Sequence, residues 1–386
     1  MTRRLVLMLA ISAAVVGFGA VANYLLNPYG VWQSRLIDPV FRKPKDEHVA
    51  LPYLIQSAAT HTLLVGSSRI VLGMRIDEIA GDDVLNGGVR AATIPQSCAI
   101  IRAALKNRHF TRVVWGVDFF AFNQIWNSDD REFDRRLEGG LGSWVEDTLL
   151  SLTALDDGWA DVKRAIRGRA KLPVTATRIV PWPEETICEN FEAMRNLGLA
   201  VTPAPEIERQ LSDDVPGYLN YHLSADFLEL FRRTVEEARR GGVRVILFVP
   251  PMSEYELELI RQSGQWPVFQ DWKRTLATIA PLWDFSGYNR IARSDQFFMH
   301  VMHYKTAVGE SVLRLLIGEP PPSCDGIARA IAESAIRLDS ANAASALAAK
   351  EDTGHSARSD GSRYAQLAAA ALERQRERTV KAGSPR

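Results

Sequence analysis

The sequence predicts an α/β fold with a mostly parallel sheet, preceded by one N-terminal transmembrane helix. Short apolar runs at residues 63–65, 84–85, 113–117 and 243–249 each give way to a turn rich in Gly, Pro, Asn or Ser, and stretches of helical spacing separate most of them. Alternating strands and helices build parallel sheets with helices packed on both faces. The run 243–249 is apolar almost throughout, as a strand buried on both faces requires. Ahead of these, residues 5–26 are nearly all apolar, with no charge between Arg4 and Arg35.

Composition narrows the function classes. The chain has 386 residues, 24% charged and 46% hydrophobic, enough for one large domain or two ordinary ones. Lys plus Arg and Asp plus Glu both number 46, so the formal charge is zero. That balance argues against a nucleic-acid partner, which needs a basic surface to displace counterions. The three cysteines, Cys98, Cys188 and Cys324, are far apart and odd in number. They offer neither zinc spacing nor a disulfide framework, and neither a cofactor nor a metal is expected.

Taken in order, residues 1–4 form a cytoplasmic N-terminus and residues 5–26 an anchor, because about 20 apolar residues cross a bilayer core as a helix. Arg3 and Arg4 stand before the span and no charge follows it closely, which orients the remainder to the periplasm from a single-pass inner-membrane position. Tyr24, Tyr29 and Trp32 suit the far interface. Ala20-Val21-Ala22 also resembles a signal-peptidase site, whose use would leave a periplasmic protein; the apolar run continues past it to Leu26, which favours a retained anchor. Residues 27–60 carry charge clusters such as Arg42-Lys43-Pro44-Lys45 and read as a stalk.

The folded domain spans residues 61–318. Its first strand, Leu63-Leu64-Val65, ends at Gly66-Ser67-Ser68-Arg69, and a short helix is expected at 76–80. A second strand, Val84-Leu85, runs into Asn86-Gly87-Gly88. Thr93-Ile94-Pro95 then begins a helix, with Thr as cap and Pro in the first turn. The third strand, 112–117, leads into Asp118. From about 124 to 221 no strand is evident. Trp126, Trp144, Trp159 and Trp182, with prolines at Pro181, Pro183, Pro203, Pro205 and Pro216, mark a partly helical insertion over the sheet edge, with most tryptophans expected in packing and exposed ones suited to stacking on sugars. A long amphipathic helix follows at 225–240, closed by Gly241-Gly242, then the strand 243–249, helices at 255–262 and 272–279, and a strand at 282–285. Asp295 and His300-Val301-Met302-His303 precede a last core helix at 306–316. Residues 319–386, rich in Ala and Arg, read as a partly disordered tail without catalytic groups.

Chemistry concentrates at the strand ends, because the carboxyl edge of a parallel sheet frames a crevice that loops and helix N-termini line. A serine there becomes a nucleophile when a base takes its proton, and otherwise caps the next helix. The order Gly66-Ser67-Ser68, Asn86-Gly87-Gly88, Gly116-Val117-Asp118 and His303 resembles the sequence blocks of the SGNH/GDSL hydrolase superfamily. Within it, the chain is similar to the membrane-anchored, exported branch that includes alginate O-acetylation proteins and the D-alanyl transfer protein of teichoic acid synthesis. The resemblance covers roughly residues 63–316 and leaves the insertion out. It implies a three-layer α/β/α flavodoxin-like fold, Ser68 as nucleophile and His303 as the proton relay. It also implies an oxyanion held by the Gly88 and Ser68 backbone N–H groups.

Two departures from the family pattern shape the reading. Asp118 stands where the third block carries an Asn, and a carboxylate has no proton to offer an oxyanion, so Asn86 or Asn123 is the substitute donor. The family's last block is Asp-x-x-His, whereas here His300 takes the acidic position, which points to a Ser-His dyad with Asp295 or a backbone carbonyl holding the ring. His300 and His303 also have the spacing of a metal pair, but they lie in a loop and no third ligand declares itself. Arg69 either binds a substrate anion or pairs with Asp77 or Asp118, the ion pair being the favoured use, and Ser67 is auxiliary.

The function implied is an exported acyl-ester hydrolase or O-acyltransferase acting on cell-envelope glycan or lipid, with a membrane-bound acyltransferase as a possible partner. The alternative is a catalytically weakened fold of the same kind that binds glycan or scaffolds an envelope assembly.

Overall fold

The computed structural model describes residues 2–32, 36–37, 46–74, 84–126, 130–168, 217–294, 297–319, 325–357 and 362–383. A 25-residue helix, α1 (Thr2–Leu26), leads into α2 (Glu47–Ser57), and the sheet begins at β1 (Thr62–Gly66). β1 is flanked in parallel by β2 (Val84–Gly88) and β3 (Arg112–Gly116), with α3 (Ser68–Gly73) and α4 (Ile94–Lys106) as the connections. After α5 (Arg131–Glu138), α6 (Leu141–Trp144), a five-residue π turn at Val145–Leu149 and α7 (Leu152–Ile166), the chain returns to the sheet through α8 (Ala225–Arg240). β4 (Arg244–Val249) and β5 (Leu282–Asp284) extend the parallel set, joined by α9 (Glu254–Gln262) and α10 (Trp266–Ile279). A two-stranded ribbon, β6 (Phe298–His300) and β7 (His303–Tyr304), precedes α11 (Thr306–Ile317). The C-terminal part supplies α12 (Asp325–Ser334), β8 (Ile336–Leu338), α13 (Ala343–Ala357) and α14 (Arg363–Gly383). The six-stranded order is β2-β1-β3-β4-β5-β8, with only β8 antiparallel.

Period-two alternation assigns each strand residue to a face. Leu63, Val65, Val113, Trp115 and Leu247 join the core under α4, α8, α9 and α10, whereas Leu64, Val114, Ile246 and Phe248 join the one under α3, α11 and α12. Helices therefore cover both faces. Trp115 meets Phe231 of α8 at 4.6 Å between ring centres; truncating either aromatic would cost about 3–5 kcal/mol.

Element types and strand positions follow the sequence expectations, with four differences. Residues 47–57 of the expected stalk form a core helix: Asp46 caps it, and Leu51, Tyr53 and Ile55 are buried despite Pro52 inside it. The described part of the insertion packs on α1, α2 and α4. The expected tail completes the sheet, and Ala368, Ala371 and Leu372 of α14 bury against the core that α9 shares. The segment holding His300 and His303 is a ribbon instead of a loop. The helix expected at 76–80, Trp182, Cys188 and Cys324 lie outside the described residues.

α1 is long and apolar enough to span a membrane or to serve as a signal sequence, and its side chains are exposed from Leu5 to Val16. Its far end enters the folded domain. Asn23 Nδ2 donates to Leu149 O (2.8 Å) and Ser151 O (2.9 Å), Leu26 packs against Gly158, and Tyr29 is buried with Ala50 and Ala154.

Candidate active site

The turn after β1 is built for close approach. Gly66 has φ +147°, and a Cβ there would stand 2.7 Å from Gly116 O at the end of β3, so only glycine fits. The chain then turns into α3, whose N-cap is Ser67; its hydroxyl accepts the Arg69 N–H at 3.3 Å. Of the two consecutive serines, Ser67 thus does the capping and is buried, leaving Ser68 at the first helical position and half-buried.

Ser68 Oγ lies 2.7 Å from His303 Nε2, across 235 residues of sequence. This is hydrogen-bond distance, and with the ring proton on Nδ1 the hydroxyl donates to the imidazole. Helix crossing fixes the spacing. Gly73 at the end of α3 lies against Gly309 of α11, where a Cβ would collide with the Gly73 carbonyl, and the buried Tyr304 ring fills the neighbouring space. Among the described residues the Tyr304 hydroxyl has no hydrogen-bond partner, and burial holds its pKa above the ordinary tyrosine value.

The histidine ribbon is tied to the sheet edge by its backbone. Arg69, 3% exposed, donates from Nε to Met302 O at 2.9 Å, and Ser253 Oγ donates to Val301 O. Arg69 also reaches Asp118 Oδ1 at 2.6 Å and Glu256 Oε2. Glu256 in turn accepts from Tyr218 OH at 2.7 Å. Burial opposes the guanidinium charge, but Glu256 and Asp118 outweigh it and hold the Arg69 pKa above its usual value. Burial pushes the Glu256 carboxyl up, against the pull of Arg69 and Tyr218, as expected where two carboxylates share one cation. Arg69 therefore serves the buried ion pair of the two uses weighed, with Asp118 as partner; Asp77 lies outside the described residues.

Three of the four expected oxyanion donors, Gly88, Asn86 and Asn123, donate to acceptors within the fold. The Gly88 N–H donates to Asn86 Oδ1 (3.0 Å), and Asn86 Nδ2 donates to Ile70 O (3.0 Å), which pins α3 to β2. Asn123 is fully buried, giving its Nδ2 to Gly217 O (2.8 Å) and accepting the His222 N–H (3.1 Å). The Gly88 N–H is thus committed within its own loop, and each Asn amide commits one of its two N–H groups to a buried backbone carbonyl. The Ser68 backbone N–H, at the first position of α3, lies ahead of the first intrahelical bond. Asp295 lies outside the described residues, as does the side chain of His300, whose backbone stands opposite His303 in the ribbon. Among the described residues no three His, Cys, Asp or Glu side chains converge as metal ligands would.

Sequence reasoning did not find Glu256, Ser253 or Tyr218. Ser253-Glu254-Tyr255-Glu256 has capping-box spacing, and Ser253 does accept the Glu256 N–H at 3.3 Å. The Glu256 side chain, however, turns inward to Arg69, which the local pattern cannot reveal.

These features define an α/β protein with a mostly parallel sheet, one apolar N-terminal helix, and a hydrogen-bonded serine–histidine pair at the sheet's carboxyl edge. Compared with protein-family models and with curated proteins, the chain matches none.

Proposed function

We propose that this chain is an exported, membrane-anchored acyl-ester enzyme of the SGNH type, a hydrolase or O-acyltransferase acting on cell-envelope polysaccharide or lipid. The observation that carries the reading is the 2.7 Å contact between Ser68 Oγ and His303 Nε2. Nucleophile and base must stand within this reach for acyl transfer. The strand order β2-β1-β3-β4-β5 supports it, since it is the order of flavodoxin-like sheets, and Ser68 follows β1 where that order reverses.

In this reading Ser68 Oγ attacks the acyl carbon while its proton passes to His303 Nε2. His303 returns the proton to the departing alkoxide, leaving an acyl-serine. Water or a sugar hydroxyl then attacks by the reverse route, His303 taking its proton and Ser68 recovering it. The Ser68 backbone N–H, ahead of the first intrahelical bond of α3, is the donor this reading assigns to the developing oxyanion. Orientation follows from Arg3 and Arg4 before the span, which favour a cytoplasmic N-terminus and a periplasmic domain. Docking of Asn23 and Leu26 into the domain favours an uncleaved anchor.

Ser68→Ala and His303→Ala should each lower p-nitrophenyl acetate turnover by about 10³-fold or more and abolish labelling by a fluorophosphonate probe. Equal turnover in wild type and Ser68→Ala removes the proposal. A second reading, a weakened fold that binds glycan or scaffolds an envelope assembly, draws on the internal bonds of Gly88, Asn86 and Asn123. Under it the wild type does not label, while glycan binding survives Ser68→Ala.

A further inference from the structure

α7 has two dissimilar faces. Ala154, Gly158 and Asp161 are buried, and Gly158 meets Leu26 at the end of α1, where a Cβ would stand 2.8 Å from the Leu26 side chain. On the opposite side Leu152, Trp159 and Ile166 recur every seven residues, which places them in one line along a helix. All three project outward, at 82%, 51% and 78% exposure. Leu141 and Leu150, just ahead of the helix, are exposed as well.

A soluble surface scatters such residues; a line of them joined to an apolar helix calls for a cover. What lies next to the line decides the cover. α1 carries an exposed apolar surface along its length, and Asn23 holds its end to the carbonyls of Leu149 and Ser151, directly before α7. Tyr24 stacks on Trp32 at 5.4 Å and Trp32 meets Trp144 edge-on at 5.6 Å, forming an aromatic collar at the point where α1 joins the domain. Such amphipathic rings settle at headgroup depth. The last turn of α7 is basic, with Lys163, Arg164 and the following Arg167, and Lys163 Nζ sits 5.7 Å from the Trp159 ring centre. Asp156, one turn on from Leu152, is exposed on the same side, and the cations gather at the far end; an apolar line ending in long cations is the pattern of a helix lying in the plane of a lipid interface.

We propose that the outer face of α7, with Leu152, Trp159 and Ile166 in line, rests on the lipid surface from which α1 emerges, as a second membrane contact. The proposal extends the reading of α1 as an anchor, is tested separately from it, and is independent of the chemistry at Ser68. The occupant is the bilayer itself, with the basic turn facing anionic headgroups.

The test uses the full chain, with Cys188→Ser and Cys324→Ser leaving only the buried Cys98, reconstituted in vesicles of phosphatidylethanolamine and phosphatidylglycerol. Spin labels are placed singly at Leu152→Cys, Ile166→Cys and, as an aqueous reference on α10, Thr278→Cys. Labels at 152 and 166 should collide with oxygen several-fold more, and with a water-soluble nickel complex several-fold less, than the label at 278. Nickel accessibility equal to that at 278, in a vesicle-bound chain of full mass, overturns the proposal. Dipolar broadening between two labels at 166 would assign the face to a second copy and also overturns it. Intact mass separates the anchor reading. A chain beginning at Asn23 that stays in solution defeats both, whereas one beginning at Asn23 with lipid-shielded labels defeats the anchor alone.

Discussion

Arg69 joins the serine and histidine sides of the site through one planar group. Its fork reaches two carboxylates while Nε holds the carbonyl that precedes His303. A lysine carries the charge but not three donors in fixed directions. Arg69→Lys should therefore slow fluorophosphonate labelling of Ser68 about 10-fold or more while far-ultraviolet circular dichroism stays unchanged. Arg69→Met should lower unfolding free energy by about 3–5 kcal/mol in urea titrations, because Asp118 and Glu256 are left buried without their cation. An Arg69→Met protein as stable as wild type would show the cluster to be idle. At this scale the sequence revealed what the chain's punctuation marks. Ser68 stands just past a strand and His303 just before a core helix, and the structure brings them within hydrogen-bond reach. The Arg69–Asp118 pair was one of two weighed. The fate of the Asn86, Asn123 and Glu256 side chains was illegible, since each is decided by a buried partner distant in sequence or by a backbone group next to it.

Among the elements, the crossing of α3 over α11 matters most to the site. α3 has only six residues, too few for helical periodicity to register, yet it carries Ser68 at one end and Gly73 at the other. Gly309→Ala would press a methyl into the Gly73 carbonyl, and separating the helices costs about 1–3 kcal/mol or more. The expected result is a lower melting temperature together with loss of probe labelling; an unchanged label would mean the crossing does not set the Ser68 position. Longer elements were readable because their signals are redundant. Thr93, Pro95 and a regular apolar spacing all announce α4, and Ser224 and Gly241 bracket α8. α14 was misread for a definable reason: its buried face is made mostly of alanines, Ala365, Ala368 and Ala371, which carry too little apolar contrast to stand out from an Ala-rich tail.

For the molecule as a whole, the C-terminal segment is structural. Lys350 of α13 reaches Asp284 Oδ2 at 3.3 Å, beside Lys273 of α10 at 3.2 Å, so one fully buried carboxylate binds a helix of the domain and a helix of the supposed tail. Burial opposes its charge, but Lys273 and Lys350 prevail and the Asp284 pKa is held down to about 2; burial lowers the Lys350 ammonium to about 8. A depressed carboxylate stabilises the fold above its unfolded pKa of about 4. The contribution, on the order of 2 kcal/mol, is lost as pH falls from about 4 to about 2. Asp284→Asn should therefore remove part of the acid dependence of the melting temperature in that window. Truncation after Gly318 deletes β8 and α14, uncovers the β5 edge and the face of α9, and should yield a chain cleaved rapidly by trypsin under native conditions. Slow cleavage matching the full chain would return the segment to the status of an appendage.

The 235-residue separation of Ser68 from His303 also orders events in time. A ribosome adds the residues of the serine's helix long before it adds the imidazole to the chain. Until then the Ser68 hydroxyl lacks the imidazole it meets in the folded chain, so the pair comes into being only when the last core helix has followed the first strand into place.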